Sequence, residues 1–134
     1  LRTEGVYAMS DIGPMHGQFC WNELMTGDLD AAKSFYKELF GWESYEIPGN
    51  DMVYTVFKSG EHDIAGLLHQ PEGEDDVPAH WMSYLAVDDI AASVDKVETL
   101  GGSIKVPVTT VGEAGSFAVI VDPTGAHVGF WQPN

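Results

Sequence analysis

Apolar and polar positions change period along the chain in an order that predicts helices and strands. Between residues 29 and 40 apolar side chains recur every three or four positions, as on one face of a helix, with Asp28 as its N-cap and Gly41 as its stop. A second stretch of this kind covers residues 90–100, with Asp88 as its cap. Short apolar or alternating runs predict strands over residues 18–26, 42–47, 52–59, 63–69, 80–87, 103–106, 116–121 and 127–132.

The predicted elements form a β-α-β-β-β unit that occurs twice, and the sequence itself repeats. At an offset of 60 positions six identities pair up: Trp21/Trp81, Asp28/Asp88, Ala31/Ala91, Ala32/Ala92, Glu38/Glu98 and Gly41/Gly101. At an offset of 63 the last strands align, with Gly66 opposite Gly129. We therefore predict an α+β fold of two modules, residues 18–70 and 79–133, whose sheets curl into one mixed sheet around a shared cleft. An acidic connector with two prolines joins them.

The charge composition disfavours two classes of binding partner. The 134 residues carry 21 Asp and Glu against 6 Lys and Arg, a net charge of −15, which disfavours nucleic acid and anionic membrane surfaces. One domain over residues 18–133 is expected, with residues 1–17 as a native arm or a remnant of cloning. The single cysteine, Cys20, and a start without the features of a secretion signal favour a cytoplasmic location.

Several motifs resemble the vicinal oxygen chelate superfamily of glyoxalases, bleomycin-resistance proteins and extradiol dioxygenases. They are the stretches 21–28 (WNELMTGD), 35–36 (FY), 39–42 (LFGW), 86–90 (AVDDI), 101–102 (GG) and 122–125 (DPTG). The resemblance covers residues 18–133, nearly the whole chain. It implies the two-module fold, a small-molecule ligand in the cleft and a homodimer, but not the reaction, because this scaffold carries many chemistries.

The resemblance also implies where a metal would be bound. Metal-dependent members place His or Gln in the first strand of each module and Glu in the last strand. In this sequence those places fall at Trp21 or Asn22, at Trp81 or Met82, and at Gly66 and Gly129, which do not form a plausible ligand set. We therefore expect no metal and no other cofactor. A divalent metal held by unorthodox ligands such as His127 remains the alternative, although the five histidines show no metal-binding spacing.

Glu23 is the candidate catalytic base. Alternation along the first strand places it on the same face as Trp21 and Met25. If that face lines the cleft, burial would raise the pKa of the carboxyl group and suit it to accept a proton or a ligand hydrogen bond. In the other interpretation Glu23 accepts hydrogen bonds from the protein and only orders the strand.

Strand residues with aromatic or imidazole side chains are the remaining ligand-binding candidates. They are Tyr54, His80, Trp81, Tyr84, Phe117 and His127, beside Trp21 and Met25. Trp21, Trp81, Phe117 and Trp131 could form an aromatic wall for a flat or apolar ligand. Core packing would explain the same aromatic residues, and a structural role would explain the histidines.

Two functions follow as expectations. The first is metal-independent binding of a small organic ligand in the cleft, of the bleomycin-resistance or carrier type. The alternative is a glyoxalase-like lyase or isomerase, or a dioxygenase, with Glu23 as base and a metal on unorthodox ligands. A pure interaction module would have neither cleft nor ligand-dependent stabilisation.

Overall fold

The computed structural model describes residues 14–48, 53–71, 73 and 76–134. Most of the predicted N-terminal arm, the turn after Pro48 and part of the acidic connector lie outside these residues. Contacts divide the chain into two compact units, one of Trp21–Met82 and one that joins the residues up to Cys20 with Ser83–Asn134. These units overlap the two predicted modules. That the chain acts as one domain stays a prediction.

The unit of residues 21–82 contains one helix on one face of a mixed sheet. Its elements are β1 (Phe19–Thr26), α1 (Leu29–Phe40), β2 (Glu43–Pro48), β3 (Val53–Ser59) and β4 (His62–His69). The strands lie in the order β2-β3-β4-β1, with β4 parallel to β1 and antiparallel to β3. Leu24, Phe57, Ala65 and Leu67 form the buried core on the face that α1 covers.

Helix α1 has the start and the stop that its sequence predicts. The Asp28 side chain accepts a hydrogen bond from the Ala31 N–H at 3.0 Å, and Gly41 ends the helix in the left-handed conformation with φ of 76°. Leu29, Ala32 and Tyr36 pack on the core, yet none of the twelve helical residues is buried. The helix therefore covers the sheet incompletely.

The second unit repeats this arrangement. Its elements are β5 (His80–Ala86), α2 (Ile90–Val97), β6 (Ser103–Val111), β7 (Gly115–Val121) and β8 (His127–Pro133). The first three residues of β5, up to Met82, still belong to the unit of residues 21–82. The strands lie in the order β5-β8-β7-β6, with β8 parallel to β5 and antiparallel to β7. Val87, Ile90 and Ala118 form the core beneath α2. The predicted α+β fold of two β-α-β-β-β modules is confirmed.

Three local predictions were wrong. The cap of α2 is Asp89, whose side chain accepts from the Ala92 N–H at 3.1 Å, and not Asp88. The helix ends at Val97, before the predicted end at Leu100, and the Gly102 N–H donates to the Val97 carbonyl in the turn that follows. Strand β6 continues to Val111 through Pro107, which an edge strand tolerates.

The register of the strands also corrects the offset at which the two modules repeat. Glu23 pairs with Gly66 in the first unit, and Tyr84 pairs with Gly129 in the second. Equivalent residues of β1 and β5 are therefore 61 positions apart, as are the caps Asp28 and Asp89. Because neighbouring residues of a strand point to opposite faces, this one-residue difference from the offset of 60 changes which side chains share a face.

Among the residues that the structure describes, no helix has both the length and the apolar character needed to cross a membrane.

Candidate functional site

A chain of three hydrogen-bonded side chains lies on the face of the first sheet that α1 does not cover. The indole Nε1–H of Trp21 donates to the Tyr54 hydroxyl at 2.8 Å. That hydroxyl donates to Oε2 of Glu23 at 2.7 Å. Glu23 is buried, with only 7% of the residue exposed. A carboxyl group is thus held inside the protein by a tyrosine whose own position is fixed by a tryptophan.

Strand geometry explains why these residues meet. Trp21 and Glu23 are two positions apart on β1 and so point to the same side, away from the core residue Leu24. Tyr54 reaches them from β3 across the intervening strand β4. It can do so because the β4 residue paired with Glu23 is Gly66, which has no side chain.

Gly66 is required by the position of Tyr54. A Cβ atom on Gly66 would collide with the hydroxyl oxygen and Cζ of Tyr54. The Tyr54 hydroxyl therefore occupies the space that a side chain at position 66 would fill. The same glycine lets the phenol reach Glu23, so any larger residue there would displace one end of the hydrogen-bonded chain.

The second unit has the same kind of contact, with a different tyrosine. A Cβ on Gly129 would collide with the ring of Tyr84, which is buried on β5. Tyr84 stands at the register position that Glu23 holds in the first unit. The two units thus share a glycine covered by a tyrosine, but a carboxyl group stands opposite that glycine in the first unit only.

At the positions that the resemblance assigns to metal ligands, neither the two glycines nor the two tryptophans carry a group that could bind a metal. Gly66 and Gly129 supply no ligand atom, and tyrosine side chains fill the space into which a glutamate would extend. An indole N–H donates and cannot coordinate a cation. Over residues 14–48, 53–71, 73 and 76–134, no three His, Cys, Asp or Glu side chains are grouped so that they could hold a metal.

The other predicted ligand-binding residues are divided between the two units. Met25 is half-buried on β1, on the same side as Glu23. In the second unit Phe117 lies opposite Trp131, and His127 lies opposite Val121, on the strand face that also carries Gly129 and Tyr84. His127 is exposed. His80 makes a hydrogen bond between its Nδ1 and the Pro78 carbonyl at 2.9 Å.

Trp21 and Trp81 are not brought together. Trp81 contacts Tyr36 of α1, with ring centroids 5.8 Å apart, and lies on the side of the sheet that the helix covers. Trp21 lies on the opposite side with Glu23 and Tyr54. An aromatic wall containing both tryptophans is therefore not formed.

Two features were missed from the sequence. The cover of Gly66 by Tyr54 joins residues on different strands, and no local pattern reveals it, although a glycine within a strand is itself a sign of a close approach. The second feature is a pocket beside α1 that is lined by Asn22, Trp42, Ile64, Ala65 and Trp81.

Comparison with known sequences places residues 18–130 in one family, described as "Glyoxalase/Bleomycin resistance protein/Dioxygenase superfamily". The chain is 42% identical over 117 residues to "Putative glyoxylase CFP32" of Mycobacterium tuberculosis, which covers 85% of this chain and 45% of that protein. It is 34% identical over 130 residues to "Anthracycline biosynthesis protein DnrV" of Streptomyces peucetius, covering 87% and 47%. The chain thus spans about half the length of these curated relatives.

Solved structures agree on the fold. Methylmalonyl-CoA epimerase from Mycobacterium tuberculosis superposes with a TM-score of 0.64 over 87% of this chain and 88% of that chain, at 14% sequence identity. At this identity the likeness concerns the fold alone. The family match over residues 18–130 shows that the chain belongs to the glyoxalase/bleomycin resistance protein/dioxygenase superfamily.

Proposed function

We propose that this chain binds a small organic molecule without a metal ion, at the sheet face that carries Trp21, Glu23 and Tyr54. The observation that supports this most directly is the buried Glu23 carboxyl group, which accepts a hydrogen bond from Tyr54. Burying such a group costs free energy unless it is hydrogen-bonded, and the Trp21–Tyr54–Glu23 chain supplies that stabilisation.

The chemistry of the face suits a ligand that donates hydrogen bonds. A carboxylate accepts hydrogen bonds or a proton, while Trp21 and Met25 offer apolar surface beside it. Glu23 would thus receive a hydroxyl, amide or acidic C–H group of the ligand. Because Tyr54 fixes the carboxyl group, the acceptor is oriented before the ligand arrives.

The absence of a metal from the site is part of the proposal and rests on the donor set. Tyr54 fills the space above Gly66, and Tyr84 fills that above Gly129, so glutamate ligands at these positions would need both tyrosines to move. Metal analysis of protein purified without chelator tests this directly, together with the melting temperature in the presence of Ni²⁺, Zn²⁺, Mn²⁺ and Fe²⁺. We expect no stoichiometric metal and no shift. A bound equivalent would instead support the lyase, isomerase or dioxygenase alternative.

Ligand binding is tested with probes that represent the three chemistries in the family description. They are the hemithioacetal of methylglyoxal and glutathione, bleomycin, and catechol. We expect one of them to raise the melting temperature in a saturable way, as linkage requires of a ligand that binds only the folded state. The Glu23→Gln variant keeps the shape of the side chain and an oxygen that can accept the hydrogen bond from Tyr54. It should weaken probe binding by about tenfold or more.

Matched variants separate a binding role from a structural one. Tyr54→Phe removes the hydroxyl group that Glu23 accepts from, whereas Tyr45→Phe removes an exposed hydroxyl that donates to Asp63 at 2.7 Å. Tyr54→Phe should weaken probe binding and Tyr45→Phe should not. If Glu23→Gln lowers stability but leaves probe affinity unchanged, Glu23 only orders the strand and the proposed site is wrong.

The homodimer, the position of the ligand in a cleft shared by both modules, and the cytoplasmic location are kept as further parts of this proposal. The similarity to relatives named for glyoxylase activity and for anthracycline biosynthesis is consistent with a small organic ligand. Sedimentation analysis of the purified chain tests the dimer.

A further inference from the structure

A pocket beside helix α1 has no part in the proposed function. It is lined by Asn22, Trp42, Ile64, Ala65 and Trp81 and has a volume of about 370 Å³, within the range of small-molecule sites. Asn22 and Trp21 are neighbours on β1 and so point to opposite sides of the sheet. The pocket therefore lies on the other side of the sheet from Glu23.

Its two tryptophans are held by one tyrosine. The rings of Tyr36 and Trp42 stack with centroids 4.9 Å apart and planes 18° apart. Trp81 meets the same Tyr36 edge-on, at 5.8 Å and 75°. Phe57, which is buried, supports Trp42 from beneath at 5.3 Å. Both indoles are thus fixed in place before any ligand binds, which lowers the entropic cost of binding.

The open space has a structural cause. Ala65 is buried and its methyl group is the smallest side chain that lines the pocket, so space remains above the sheet at this point. Trp81 is 40% exposed although it packs on Tyr36, which leaves part of an indole ring free for contact. An exposed indole on a rigid support is a surface that aromatic molecules recognise.

Charge narrows the class of ligand. Asn22 is the one polar side chain among the five that line the pocket, so no charged group there would neutralise an anion. The whole chain has a net charge of −15, which repels anions and attracts cations. Indole faces attract cations in addition. We propose that this pocket binds a planar aromatic cation against Trp42 and Trp81.

Two dyes of matched size test the class. Proflavine has three fused rings and a positive charge at neutral pH, and anthracene-2-sulfonate has three fused rings and a negative charge. Binding to the intact chain is followed by fluorescence anisotropy at fixed ionic strength. We expect one equivalent of proflavine to bind, and anthracene-2-sulfonate to bind about tenfold more weakly or worse. Equal binding of the two dyes would overturn the charge argument and with it the assignment.

Variants test the location. Trp81→Ala should weaken proflavine binding about tenfold, and Trp81→Phe should restore part of it because the aromatic face returns. Phe19→Ala is the matched control, since Phe19 is 69% exposed on β1 but does not line the pocket. If Trp81→Ala binds proflavine as the unmodified chain does, the pocket is not the site.

Self-association is the competing use of such a surface. Phe40 and Leu39 of α1 are also exposed and lie near Trp42 in the chain. Sedimentation with and without saturating proflavine decides between the two. A dimer that proflavine dissociates, and that Trp81→Ala abolishes, would show the face to be an interface between copies and would overturn the ligand site. An unchanged mass supports it.

Discussion

Replacing Gly66 by alanine should break the hydrogen-bonded chain at Glu23 although none of the three residues in that chain is substituted. The new methyl group would collide with the hydroxyl oxygen and Cζ of Tyr54 and push the phenol away. Loss of the Tyr54–Glu23 hydrogen bond, which has a carboxyl acceptor, would lower the free energy of unfolding by about 1.5–3 kcal/mol. Loss of the Trp21–Tyr54 hydrogen bond would lower it by about 0.5–1.5 kcal/mol. Alanine would recover about 0.5–1 kcal/mol of backbone entropy. We expect a net loss of about 2 kcal/mol in the free energy of unfolding.

A double-mutant cycle isolates this cause. In a Tyr54→Leu background the ring is gone, so Gly66→Ala should be neutral or stabilise by about 0.5–1 kcal/mol. Free energies of unfolding come from urea titrations of the four variants. Gly27→Ala is the control, because the Cβ it adds meets only Gln70 Oε1 at 3.8 Å and should change stability by less than about 0.5 kcal/mol. If Gly66→Ala lowers the free energy of unfolding equally in the unmodified chain and in Tyr54→Leu, the collision with Tyr54 is not the cause.

Three further predictions concern single groups. Partial burial raises the pKa of the Cys20 thiol, so iodoacetamide should modify Cys20 more slowly at pH 7.5 than it modifies the urea-unfolded chain; equal rates would contradict this. Hydrogen bonds from Thr124 and Ala126 hold the pKa of Asp122 below its ordinary value of 3.8. The ionised Asp122 carboxylate therefore stabilises the folded chain above that pH, and this contribution disappears as the pH falls through the lower pKa of the folded state. The melting-temperature difference between the unmodified chain and Asp122→Asn should therefore shrink below about pH 4, and a constant difference would argue against it. Asp89→Ala should cost about 1 kcal/mol through loss of the α2 cap and Asp88→Ala less than about 0.5 kcal/mol; the reverse order would restore the cap to Asp88.

The sequence predicted the order of elements because that order depends on local signals. Apolar spacing, an aspartate cap and a glycine stop define α1, and the α1 cap residue and stop were both correct. The α2 cap was placed one residue early because Asp88 and Asp89 are adjacent and only the backbone decides which one accepts from the helix. Residue type alone carries no such information.

The candidate site was predictable only in part, for a reason of register. Alternation correctly grouped Trp21 with Glu23 on one side of β1. The identities at an offset of 60 then matched Trp21 to Trp81, whereas the strands align at 61, and a slip of one residue reverses every side chain of a strand. Tyr54 above Gly66 depends on a contact between two strands, which a single sequence does not encode in any local pattern.

The incomplete burial of α1 has a consequence for motion. None of the α1 residues is buried, whereas α2 buries Ile90 and Val97, so α1 loses less apolar burial of its own side chains when it opens. The free energy needed to open α1 locally is correspondingly small compared with that of global unfolding. In heavy water the backbone amides of α1 should exchange through brief local openings, and those of α2 should follow the slower opening of their core. The two copies of one duplicated module would then differ in their dynamics although they share a topology.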